Sequence, residues 1–166
     1  MPAVTSALRS EPAARLADLD EHAVRELNAV ATLLEALAVR IAPAFDAPRR
    51  AALRAANARL RGAGDPVTAA IADREVHRRL VDTCGDDALL ATLRPVDATL
   101  RRLRPVRGVR GAAARSHAAE HDAVIDALEA GDNALASERL RAHVAGRLPE
   151  LLGAVAAGGD PGRLAS

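Results

Sequence analysis

The 166-residue chain has room for one ordinary domain, and 49% of its residues are hydrophobic, enough for a core although Leu, Ala and Val supply nearly all of it. Phe45 is its one aromatic residue, and its net charge is +1, with arginine as every basic residue. Base stacking therefore has no platform, and no bulk charge draws the chain to nucleic acid or to anionic lipid. The single cysteine, Cys84, rules out an internal disulfide and suits a reduced cytoplasm. Neither a membrane-spanning run nor a secretory signal is expected.

Residues 1–18 show no sustained period and read as a tail or linker stub, and 158–166 as a flexible tail, leaving 19–157 as one folded domain. Asp18 and Glu21 resemble a capping box. Leu27, Val30, Leu34, Leu37 and Ile41 then recur at three and four residues, which predicts a first amphipathic helix ending before Pro43. Asp46 and Pro48 open a second helix, carried by Leu53, Ala56 and Leu60 and stopped by Gly62-Ala63-Gly64; Asp65 and Pro66 open a third. This third helix runs through Val67, Ile71 and His77 to about Cys84, where Gly85 breaks it and Asp86 or Asp87 caps a fourth. Pro95 is expected to kink or split that fourth helix. Residues 105–115 read as a connection, Ser116 as the cap of a helix to Ala130, and 134–157 as one last helix after the Gly131-Asp132-Asn133 turn. No window alternates with period two, so the expected fold is all-α: an antiparallel bundle of about six to seven helices.

The chemistry of interest lies in the five histidines, 22, 77, 117, 121 and 143. Asp73 and His77 stand four apart on one predicted helix and so share a face. Asp18 and His22 have the same spacing, and a local hydrogen bond is the ordinary explanation for any one such pair. His121 precedes Gly131 by ten residues and His143 follows Asn133 by ten, so both lie about 15 Å from the turn and level with each other across a helical hairpin. Neighbouring helices about 8–10 Å apart allow two inward imidazoles to reach one ion. With Asp73 and His77 added, three imidazoles and a carboxylate suit a borderline divalent metal: zinc first, then nickel, manganese or iron. Arg74, Arg78 and Arg94 lie close to these ligands in the chain and are candidate partners for a ligand carboxylate. His117 and His22 are left outside the site.

The string from Leu34-Glu35 to Ala42, Asp73-Arg74-Glu75-Val76-His77, Glu120-His121 with Ala127 and Gly131-Asp132, and His143-Val144 together resemble the FCD domain, the helical effector module of FadR-subfamily, GntR-type transcription regulators. The resemblance covers about residues 20–150. It implies a bundle that dimerises, holds a divalent metal through Asp73, His77, His121 and His143, and senses a small carboxylic acid. DNA would be reached only through a winged-helix domain, for which the 20 or so residues before the first helix are too few; the chain is therefore expected to be a stand-alone sensor or a truncation. The family usually carries an aromatic where Val76 stands, Asn at Asp86 and Arg at Ala31. A metal-free helical interaction module is the alternative. A metal-dependent hydrolase is the weaker one, since Glu75 and Glu120 are the nearest candidate bases and neither is aimed at the ligands.

Overall fold

A computed structural model describes residues 19–103 and 111–158, and within them the chain is helical with no strand. Seven α-helices follow in order: α1 Glu21–Ile41, α2 Ala47–Arg61, α3 Pro66–Val81, α4 Asp87–Leu103, α5 Ala112–Glu129, α6 Asn133–Gly146 and α7 Leu148–Gly158. A short 3₁₀ turn, Asp82–Cys84, joins α3 to α4. There Gly85 takes φ 69°, a left-handed value that favours a residue without Cβ.

Most helix starts are set by short acidic caps. Asp46, Asp65 and Asp132 accept hydrogen bonds from the first free backbone amides of α2, α3 and α6, and Asp86 does so for Leu89 of α4 at 2.9 Å. The cap of α1 is Asp20, which accepts from the Ala23 amide at 2.7 Å; Asp18 lies outside the described residues. Helix α5 starts at Ala112 after Gly111, a turn earlier than Ser116, because Ala112-Ala113-Ala114 is itself strongly helix-forming. Pro95 does not split α4, which is continuous from Asp87 to Leu103 with Leu89, Leu90, Leu93, Leu100 and Leu103 buried on both sides of the ring. The single last helix expected over 134–157 is instead two, broken at Arg147. The cause is Pro149, which lacks the amide that would bond the Ala145 carbonyl.

The largest departure concerns α1. Its buried face is Val24, Asn28, Ala31, Thr32, Glu35, Ala36, Ala38 and Val39. The heavier stripe Val30, Leu37 and Ile41 faces out, together with Leu33. Small residues on the inner face let α1 lie close to α6, where Ser137 Oγ donates to the Ala36 carbonyl at 2.7 Å and Asn133 Nδ2 to the Ala42 carbonyl at 2.7 Å. Helix α5 packs between α2 and α6, and α3 packs on α2 and α1. This arrangement turns one face each of α3, α5 and α6 toward a common interior. No described helix is long and apolar enough to cross a membrane.

Candidate metal centre

Asp73 and His77 from α3, His121 from α5 and His143 from α6 meet in that interior, all buried, with one donor atom of each within 4.8 Å of the others. The three Nε2 atoms form a near-equilateral triangle: 3.2 Å from His77 to His143, 3.3 Å from His77 to His121 and 3.1 Å from His121 to His143. Nitrogens about 2.0–2.1 Å from a single zinc ion subtend separations of this size. Asp73 Oδ1 stands 3.9 Å from both His77 Nε2 and His121 Nε2. The register argued from the 131–133 turn therefore holds: His121 and His143 face each other across the hairpin.

Each ring is oriented from behind by a residue outside the predicted ligand set. His77 Nδ1 lies 2.5 Å from Glu35 Oε2, and His143 Nδ1 2.6 Å from Glu120 Oε2. His121 Nδ1 lies 3.3 Å from Asn57 Oδ1. The orientation of the Asn57 amide is set from its other side, where Nδ2 donates to the Ala118 carbonyl at 2.8 Å and to Asp122 Oδ1 at 2.7 Å. With Nδ1–H donated outward, each Nε2 lone pair points into the triangle, the arrangement by which outer carboxylates and amides fix the tautomer of metal-binding histidines. Three convergent lone pairs at such separations repel one another, and a cation among them removes the repulsion. The residues present thus fit a divalent metal.

Glu120 is accordingly well placed after all, as a support for His143. The signals that could have found these residues are weak: Glu35 is a carboxylate on the inner face of α1, and Asn57 is a buried amide at 1% exposure. Arg147, 4% exposed, was missed because it sits at the α6–α7 break. Its Nη1 donates to Asp73 Oδ2 at 2.8 Å and lies 3.4 Å from His77 Nε2.

Burial, followed by the charges of the neighbouring rings, holds His121 and His143 well below the ordinary imidazole pKa of 6.5. They are neutral at pH 7, as ligands need to be. A lowered folded-state pKa means that the unfolded chain binds more protons, so the stability these rings confer is complete above about pH 6.5 and lost as pH falls below it. Each ring contributes up to about 1.4 kcal/mol per pH unit in that range. Melting curves from pH 7.5 to 5.5 are expected to show a steep loss of stability that a double variant His121→Gln/His143→Gln lacks.

Two cavities open onto this cluster and share no lining residue. The larger, about 610 Å³, reaches Glu35 and His77 between α1, α3 and α4. Arg78 and Arg94 line it; Arg74 is exposed and lines neither cavity. Arg78 is held by Glu75 at 2.8 Å and Asp82 at 2.9 Å. The smaller, about 340 Å³, reaches His143, Glu120 and Arg147.

The described residues thus form an all-α bundle with a buried Asp and three His between α3, α5 and α6. The chain belongs to the FCD-domain family, whose model matches residues 26–146 and which forms the C-terminal, effector-binding domain of GntR-type regulators. No curated protein and no solved structure matches the chain.

Proposed function

We propose that this domain senses a small carboxylic acid through a divalent metal held by Asp73, His77, His121 and His143, zinc being the best fit to three imidazoles and one carboxylate. The observation that carries the reading is the triangle of Nε2 atoms, each ring fixed from behind by Glu35, Asn57 or Glu120. The metal would act as an anchor, with coordination positions left for the acid. Three arginines line the larger cavity: Arg78 is shared with Glu75 and Asp82 and Arg101 with Asp97, which leaves Arg94 as the one best placed to meet the carboxylate. Arg74 would contribute only from the exposed side of α3. The domain binds the acid without transforming it, in the cytoplasm, and a winged-helix domain carries the response to DNA. Elemental analysis before and after chelation tests the core of this reading: about one equivalent of zinc, nickel, manganese or iron supports it, and a metal-free protein whose melting curve ignores the chelator refutes it.

One observation favours the metal-free interaction module as a second reading. Arg147 already supplies Asp73 with a buried counter-charge, so the cluster has internal compensation without an ion. Under that reading the melting curve would be indifferent to added metal.

A homodimer fits the outward stripe of α1. Val30, Leu33, Leu37 and Ile41 are 40%, 63%, 46% and 45% exposed and spaced at three and four residues, a self-complementary apolar seam. Light scattering is expected to give twice the 17.3 kDa chain mass for the wild type and a single chain for Leu33→Arg. An unchanged mass for the variant would place the dimer surface elsewhere.

A further inference from the structure

We propose that the smaller cavity is an anion subsite in its own right, in which Arg139 and Arg147 hold a small oxyanion, a carboxylate or a phosphate. Its location goes beyond the acid site inferred for the larger cavity, and its residues are in place whether or not a metal is bound. The cavity, about 340 Å³, is large enough for a small acid and is lined by Arg139, Arg147, His117, His143 and the single carboxylate Glu120.

The polar groups here are built in and incompletely used. Arg147 is 4% exposed; its Nη1 reaches Asp73, whereas its Nε is buried with no hydrogen-bond partner among the described residues. His117 is 8% exposed and its Nδ1 is likewise buried without a partner, while its Nε2 stands 3.4 Å from Glu150. Arg139 donates from Nη1 to the Ala123 carbonyl at 2.6 Å and makes no ion pair with the described residues. Glu120 accepts from the neutral His143 ring at 2.6 Å and keeps its own negative charge, so two guanidinium groups and one carboxylate line the cavity. Arg147 is a buried guanidinium with an unmet donor, which is costly, and with the half-buried Arg139 beside the same small cavity that donor is met most economically by an anion with paired oxygens. A divalent ion in the neighbouring cluster would share the Asp73 carboxylate with Arg147 and so increase the demand for that anion. Oxyanion affinity should therefore rise when metal is present.

The test is a titration of the full chain, first metal-free and then zinc-loaded, with malonate and with inorganic phosphate, following the Nε–H signals of ¹⁵N-labelled arginines. Since an Arg147 variant could lose the fold, the decisive variant is Arg139→Gln, with Arg94→Gln as the control for the larger cavity. The proposal expects the Arg147 and Arg139 signals to move, Arg139→Gln to weaken binding about ten-fold or more, and Arg94→Gln to leave it unchanged. Tighter malonate than phosphate would identify the natural ligand as a carboxylate, and the reverse order as a phosphorylated compound. Unmoved signals, an Arg139→Gln protein that binds as the wild type does, or a loss confined to Arg94→Gln would overturn it. Metal content is read separately on the same samples. A protein that proves metal-free yet binds malonate through Arg139 would sustain the subsite and sink the metal centre.

Discussion

Under the proposed metal reading, a His121→Ala protein is expected to emerge from purification metal-free and to melt well below the wild type. His121 is fully buried, and its Nε2 is within 3.3 Å of both other imidazoles, so its removal opens one corner of the triangle and leaves a cavity beside Asn57. An ion that binds only the folded chain stabilises it by about 4 kcal/mol at a thousand times its dissociation constant. Losing that and the packing of the ring together amounts to roughly 10 °C or more in a domain of this size. Chelator treatment separates the two contributions. Wild-type protein should fall part of the way toward the variant when stripped, and the variant should not respond. A His121→Ala protein that retained a full equivalent of metal would show that the ligands lie elsewhere.

The four candidate ligands were legible in the sequence because their placement depends only on helical geometry: a four-residue spacing on one helix, and two residues equidistant from a turn that Gly131 and Asp132 mark plainly. Most helix boundaries were legible for the same reason, since Asp caps and Gly or Pro stops act locally, although the break at Pro149 was not read. What was not legible depends on which face a helix turns inward. On α1 the predicted stripe of Leu27, Val30, Leu34, Leu37 and Ile41 divides: Leu27 and Leu34 pack against the core, whereas Val30, Leu37 and Ile41 face out and the bundle buries Asn28, Thr32 and Glu35. Hydrophobic period identifies a helix but does not choose between a core and a second copy of the chain as the partner for its apolar side. Glu35, Asn57 and Glu120 are reached from the histidines only through tertiary contacts across 42, 64 and 23 positions of chain, and no local spacing carries that information. Arg147 escaped notice for a related reason: the helix break at Pro149 sets the course of the chain that aims it at Asp73.

Arg147 also provides the sharpest link between the ion pair and the metal. Replacing it with leucine in the metal-free protein leaves the Asp73 carboxylate, 1% exposed, without the guanidinium 2.8 Å away. Breaking a buried pair from one side costs about 3–5 kcal/mol, because the remaining charge loses its cationic partner in a low-dielectric interior. Metal changes the sign of the comparison. An ion bound by Asp73 and the three histidines supplies the missing positive charge, so zinc should restore most of the loss in Arg147→Leu while adding less to the wild type, where it meets a cation already in place. Urea denaturation of both proteins with and without zinc measures this as a double cycle. A coupling of about 1–3 kcal/mol in that direction would show that arginine and metal compete for the same carboxylate. Equal stabilisation of both proteins by zinc would mean that the ion binds without engaging Asp73. No stabilisation of either would leave the Asp73–Arg147 pair as the permanent centre of a metal-free bundle.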